Sequence, residues 1–121
     1  MRLSHVNVTM PAGGEAVARA FYGGLLGLSE IPKPEQLRAG GGVWFELAGG
    51  DLHVSIDTCR NGADVRRHFG LECADLEAVR ARLANNGCAI DVGRPAPWKR
   101  FFVLDPFGNR IEIHEPGGMR Q

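Results

Sequence analysis

Four side chains of metal-ligand type stand at related places in this 121-residue chain. His68 follows His5 by 63 residues, and Glu112 follows His53 by 59 residues. Three imidazoles and one carboxylate form a donor set that suits Zn, Ni, Mn, Co or Fe better than Ca or Cu(I). Four ligands would also leave coordination positions for water or substrate, as a catalytic divalent transition metal requires.

A single histidine on a strand is more often a half-buried polar residue than a ligand, so the combination carries the prediction. Three of the four histidines occupy positions related by an apparent internal repeat. The sequence predicts a strand over 3–10, a helical run over 15–28 and a hairpin over 43–57, and the same order returns from residue 68. The fold class predicted is therefore α+β, with two βαβββ modules over about 3–57 and 68–115 in one domain, 1–121. A chance match between two halves is the alternative.

The second half has the clearer local signals. The segment ADLEAVRARLANNG predicts a helix, with Asp75 as N-cap and Gly87 as C-terminal stop. CAIDVG predicts a short strand, and RFFVLDPFGNRIEIHE predicts a hairpin that turns at DPFGN. These elements place Glu112 on the closing strand of the second module.

The first hairpin yields a further hypothesis. If Gly49 and Gly50 are its two turn residues, Glu46 lies directly opposite His53 on the same face. Glu46 would then orient His53 or act as a general base. A solvated Glu46 is the alternative, and a one-residue slip in register would remove the pairing.

Other side chains are expected beside these ligands. The predicted substrate pocket contains Asn7, Trp44, Phe102 and His114. Lys99 and Arg100 precede a predicted strand, where they could meet an anionic substrate or be ordinary surface charge.

Composition limits the partners. Lys plus Arg and Asp plus Glu are 14 each, so no strong field favours nucleic acid or an anionic membrane. The sequence has no long apolar run of a membrane span and no apparent secretory signal. Its three cysteines, Cys59, Cys73 and Cys88, form no Cys-x-x-Cys motif, which argues against a disulfide framework. A cytoplasmic protein with reduced thiols and a small-molecule substrate is expected.

The motifs HVNV, DLHV, HFGLECADLEAVRARLANNG and RFFVLDPFGNRIEIHE resemble those of the vicinal oxygen chelate superfamily. This superfamily includes glyoxalases, bleomycin-resistance proteins and extradiol dioxygenases, and the resemblance covers essentially the whole chain. It implies paired βαβββ units that make a cup, commonly completed in a homodimer. It also implies metal ligands at His5, His53, His68 and Glu112.

Departures from the better-known members concern individual residues. Glyoxalase I-like enzymes usually have a carboxylate where this chain has His53, and methylmalonyl-CoA epimerases have Gln. Fosfomycin-resistance transferases share the EIH segment, but their Thr two residues after the first His is Asn7 here and their Tyr before the turn is Phe102. Bleomycin-binding members lack the metal ligands, which this chain keeps.

The resemblance implies a metal-dependent glyoxalase-like enzyme, of lyase or isomerase type. It would act on a small oxygenated substrate through bidentate metal chelation, with Glu46 or Glu112 moving the proton. A metal-free binding or sequestration protein of the bleomycin-resistance type is the first alternative. A thiol transferase of the fosfomycin-resistance type is the second.

Overall fold

The computed structural model describes residues 1–57 and 67–117, so Cys59 lies outside the described residues. The chain divides into two compact units, Met1–Asn61 and Gly62–Gln121. The fold is mixed α+β, with a mixed sheet of four strands in the first unit and one of three strands in the second. Among the described residues, no helix is long and apolar enough to cross a membrane.

The first unit is a strand, a helical segment and three further strands. Its strands are β1 (His5–Met10), β2 (Glu30–Ile31), β3 (Val43–Leu47) and β4 (Gly50–Ile56). Its helical segments are α1 (Glu15–Ala18), a π-helical turn (Arg19–Leu25) and a 3-10 segment (Glu35–Gly40). The predicted helix over 15–28 is thus largely π-helical, and its paired glycines favour that departure because they stabilise an α-helix poorly.

The strand order in the first unit is β1-β4-β3-β2. β1 runs parallel to β4, and the other two pairings are antiparallel. Alternate residues of β4, Leu52 and Val54, are fully buried together with Phe45 and with Phe21 and Tyr22 of the π-helical turn. This apolar face holds the unit together, and the opposite face of the sheet carries polar side chains.

The second unit repeats the order with fewer strands. Its elements are β5 (Phe69–Glu72), α2 (Leu76–Asn85), β6 (Arg100–Leu104) and β7 (Arg110–His114). β5 runs parallel to β7, which pairs antiparallel with β6. The predicted strand CAIDVG is reduced to one bridge between Asp91 and Phe102.

Helix α2 begins and ends as the sequence predicts. The Asp75 carboxylate accepts a hydrogen bond from the Ala78 backbone N–H at 3.1 Å, as an N-cap does. Gly87 has a φ of 83° just after the helix, a conformation that favours glycine. Leu83 is the buried residue of this helix.

Both sheets place the first strand of the unit parallel to the last, with the last strand also in a hairpin. This shared order is what a duplicated module would produce. The duplication and the single domain over 1–121 stay predictions.

The register predicted for the first hairpin is wrong. Leu47 pairs with Gly50, so the turn residues are Ala48 and Gly49. Glu46 therefore lies opposite Asp51, and Trp44 takes the place opposite His53 that was predicted for Glu46. The reason is that Gly50 is a strand residue: a Cβ there would lie 2.7 Å from the Ser4 carbonyl oxygen.

Candidate functional site

The polar face of the first unit brings together predicted site residues from three strands. In the register, His5 pairs with Asp51 and Asn7 with His53 across β1 and β4. Trp44 of β3 pairs with His53 from the other side. Because cross-strand partners share a face, both predicted histidine ligands of this unit lie on one surface.

The rings on this face are stacked. The His53 and Trp44 ring centroids are 3.7 Å apart with an interplanar angle of 6°, and those of His53 and His5 are 4.5 Å apart at 17°. The Ser4 hydroxyl lies 2.9 Å from His5 Nδ1. His53 is thus held between two flat neighbours on adjacent strands, with a fixed ring orientation.

Burial controls the charge of His53. Its side chain is 13% exposed, and its Nε2 has no hydrogen-bond partner in the described part of the chain. Loss of hydration lowers the pKa of His53, and repulsion from His5 lowers it further, whereas Asp51 raises it. Asp51 Oδ2 is 3.8 Å from Nε2, too long for a hydrogen bond, so the neutral imidazole is favoured.

The second unit places the other predicted ligands side by side. His68 Nε2 lies 3.2 Å from Glu112 Oε1, and Arg100 Nη1 donates to the same oxygen at 3.4 Å. The Glu112 side chain is 4% exposed. Its second oxygen, Oε2, is buried without a hydrogen-bond partner among the described residues.

Phe102 packs at the centre of this group. It pairs with Glu112 across β6 and β7, and its ring meets the His68 ring edge-on with centroids 5.3 Å apart. Phe102 lines a cleft of the second unit together with His68, and its predicted place in a substrate pocket stays a prediction.

Three other predicted residues have different surroundings. Asn7 is exposed and accepts a hydrogen bond of 2.5 Å from the Ser55 hydroxyl. Glu46 is exposed on the hairpin. His114 is buried, with its Nδ1 2.9 Å from the Glu115 carbonyl oxygen, and it does not line the cleft that contains His68.

Each unit therefore contributes a pair of donors. In neither unit does the described chain place three or more His, Cys, Asp or Glu side chains where they could hold one ion. The donor pair of the second unit nevertheless fits a divalent cation. Neighbouring ligand atoms of such an ion lie about 3 Å apart, which agrees with the 3.2 Å between His68 Nε2 and Glu112 Oε1. The buried, unpartnered Glu112 Oε2 and His53 Nε2 are the kind of atoms that a bound ion would satisfy.

Comparison with known proteins identifies the group to which this arrangement belongs. The family model of the Glyoxalase/Bleomycin resistance protein/Dioxygenase superfamily matches residues 2–113. The chain belongs to this superfamily. Members commonly use divalent metals, bind small-molecule substrates and are often dimeric. A search of curated proteins found no match.

Solved structures of the superfamily share the fold. A protein of Bacillus anthracis assigned to the glyoxalase family is 39% identical, with a TM-score of 0.84, over 95% of this chain and 94% of that chain. Lactoylglutathione lyase from Agrobacterium tumefaciens is 19% identical, with a TM-score of 0.70, over 98% and 95%. A fosfomycin resistance protein from Listeria monocytogenes is 15% identical, with a TM-score of 0.70, over 95% and 93%. The last two similarities show the fold alone.

Several residues around the candidate ligands were not predicted. Arg110 Nη2 lies 3.7 Å from Asp91 Oδ2, and the Arg110 guanidinium carbon lies 4.1 Å from the Phe102 ring centroid. The signal for Arg110 was present in the sequence, because it stands two residues before Glu112 and so shares its face. Asp91 lies in the predicted strand CAIDVG, but nothing in that segment linked it to the proposed ligands.

Proposed function

We propose that the protein is a metal-dependent enzyme of lyase or isomerase type that acts on a small oxygenated substrate. The observation that carries the proposal is the state of Glu112. One carboxylate oxygen lies 3.2 Å from His68 Nε2, and the other is buried without a hydrogen-bond partner among the described residues. Burying a carboxylate oxygen without a hydrogen-bond partner is unfavourable, so a buried Glu112 Oε2 of this kind supports a bound ligand at this position.

The ligands we propose are the two donor pairs, His5 with His53 and His68 with Glu112. A bound divalent cation would supply Lewis acidity toward two oxygens of the substrate. The stack with Trp44 and His5 holds the His53 ring in place and favours its unprotonated form. That form is the one in which an imidazole nitrogen can donate a lone pair.

Two carboxylates are candidates for proton transfer. Glu112 Oε1 lies 3.2 Å from His68 Nε2 and 3.4 Å from Arg100 Nη1, so its position is fixed by two neighbours. Glu46 projects from the polar face of the first hairpin, opposite Asp51 and two residues away from the position opposite His53. We propose Glu112 as the principal group and Glu46 as the second.

The first test is the metal content of the untagged protein, purified without chelator and measured by mass spectrometry. The parent should carry transition metal, and His68→Ala and Glu112→Ala should lose it. Glu77→Ala, on the exposed face of α2, is the matched carboxylate control and should retain it. A parent that stays empty after incubation with each divalent ion would contradict the proposal and favour a metal-free binding protein.

We further propose that the protein is a homodimer, and a mixing experiment tests whether its two chains share the ligands. His5→Ala and Glu112→Ala are each expected to bind no metal. If two copies of the chain share the ligands, unfolding and refolding the two variants together should restore part of the metal content. If one chain supplies all four ligands, the mixture should stay as empty as its components.

A further inference from the structure

The second unit contains a cleft whose lining includes only one of the proposed metal ligands. Its volume is about 420 Å³, and His68 lies at its wall. The other charged or aromatic lining residues are Asp91, Arg94, Arg100, Phe102 and Arg110. A cleft of this size suits a small molecule, and its lining includes three arginines.

Two of the guanidinium groups are held over the same ring. The guanidinium carbon of Arg110 lies 4.1 Å from the Phe102 ring centroid, and that of Arg100 lies 5.0 Å from it. Cation–π contact at these distances stabilises both groups. The Nε atoms of both arginines are buried without an acceptor among the described residues. Both groups therefore keep donor capacity that the protein itself does not use.

The carboxylates nearby neutralise these charges incompletely. Arg110 is 3.7 Å from Asp91, and Arg100 is 3.4 Å from Glu112. Both distances exceed the roughly 2.7–2.9 Å of a strong charge-assisted hydrogen bond. Arg94 forms no ion pair with any residue in the ranges 1–57 and 67–117. Three guanidiniums thus face two carboxylates, and one positive charge is left over.

We propose that this cleft is an oxyanion subsite that binds the carboxylate of the substrate beside His68. Arginine forks bind carboxylates with two parallel hydrogen bonds, and the cleft lining supplies three guanidinium groups for such contacts. In the metal-free protein, the single excess charge matches a carboxylate better than a phosphate group, which carries about −1.5 to −2 at neutral pH. The substrate class is then a small organic acid, an assignment that rests on the proposed function because it places that substrate next to the metal ligands.

The test uses acetate as the probe, with acetamide as its uncharged counterpart and inorganic phosphate as the competing anion. Each is titrated into the full-length protein as purified, and the arginine Nε–Hε signals are followed by NMR. Acetate should shift two of these signals saturably, and acetamide should not. Arg110→Gln and Arg94→Gln should each weaken acetate binding by about tenfold or more. Arg82→Gln, an exposed change on α2, should not.

Arg110→Lys guards against a variant that merely fails to fold, since it keeps the charge and loses the fork. It should bind acetate more weakly than the parent but better than Arg110→Gln. Equal acetate binding by the parent and all arginine variants would overturn the subsite. Phosphate binding that is tighter than acetate binding would overturn the carboxylate assignment.

Metal content measured on the same samples separates this inference from the proposed function. Loss of acetate binding in Arg94→Gln with metal retained supports the subsite. A parent that binds acetate through these arginines but never binds metal would leave the subsite standing and overturn the enzyme proposal. A parent that binds metal but not acetate would overturn the subsite and leave the enzyme proposal standing.

Discussion

Trp44 lies directly opposite His53 on neighbouring strands, and the two rings are almost parallel, with centroids 3.7 Å apart. The strand on the other side of His53 carries His5, whose ring also stacks on it. His53 is therefore shielded from water by the register of three strands. The chemistry expected of this imidazole depends on that shielding, because burial is the main cause of its lowered pKa.

Removal of the Trp44 ring should change the titration of His53. We expect Trp44→Ala to raise the pKa of His53 toward its ordinary value, because water would reach the imidazolium form. Trp44→Phe should restore most of the shielding. NMR titration of the His53 ring protons in metal-free protein measures this directly. An unchanged pKa in Trp44→Ala would mean that the stack does not control desolvation.

The same lowered pKa predicts how stability depends on pH. The folded protein binds a proton at His53 less readily than the unfolded chain does, so the unfolded chain binds more protons below about 6.5. The stabilising contribution of neutral His53 is therefore complete above that pH and is lost as pH falls toward the folded pKa. Denaturant unfolding at several pH values should show that His53→Gln is less sensitive to acid than the parent, both without metal. Equal sensitivity would contradict the expectation.

Glu112→Gln should separate charge from shape at the second donor pair. The substitution keeps the volume but leaves Arg100 facing a neutral amide. We expect the free energy of unfolding of the metal-free protein to fall by about 1–3 kcal/mol. Metal content should fall as it does in Glu112→Ala. A variant with parental stability and full metal content would show that the Glu112 charge has neither role.

Asp105 should be the main support of the second hairpin. Its buried carboxylate accepts hydrogen bonds from the Phe107 backbone N–H at 2.9 Å and from the Asn109 backbone N–H at 2.7 Å. Its other oxygen accepts from Asn109 Nδ2 at 2.7 Å. In Asp105→Asn, the new side-chain amide would face the Asn109 side-chain amide in place of a carboxylate oxygen. The substitution should reduce the free energy of unfolding by about 1–3 kcal/mol. Glu77→Gln, an exposed change, is the control for chemical denaturation.

Gly93 should resist substitution for two separable reasons. Its φ is 68°, and an added Cβ would lie 2.8 Å from Phe102 Cε2. Gly87 has a φ of 83° and nothing within 4 Å of an added Cβ. Gly87→Ala should therefore lose only the backbone contribution, about 1 kcal/mol. Thermal unfolding should show a larger loss of stability for Gly93→Ala than for Gly87→Ala. Equal losses would mean that the Phe102 ring moves aside at little cost.

Local signals in the sequence predicted much of the fold. The strand β1, the hairpin that turns at DPFGN and the Asp75 cap each depend on residues close in the chain, and the structure confirms them. The family was also predicted correctly, because the motifs that identify it span the whole chain. The four proposed ligands stay predictions.

Contacts between distant residues were harder to predict. The pair Gly49-Gly50 looked like a turn, but Gly50 is a strand residue where an added Cβ would meet the Ser4 carbonyl oxygen, just before β1. That mistake displaced Glu46 and concealed the partnership of Trp44 and His53. The strand β2 was not predicted either. It has only two residues, too few to show alternation, and it is recognised only through its pairing with β3. The cleft arginines come from a loop and two strands, which only the folded chain brings together.

The parallel pairing of the first and last strands in each unit also has a consequence for the order of folding. The hairpins of β3 with β4 and of β6 with β7 close over short turns, which takes microseconds. His5 cannot meet Asp51 and His53 until a much longer loop has closed. The entropy cost of closing that loop must be overcome before β1 pairs with β4. During synthesis on the ribosome, the N-terminal histidine is therefore the first ligand to emerge. It can reach His53 only after β4 has been synthesised.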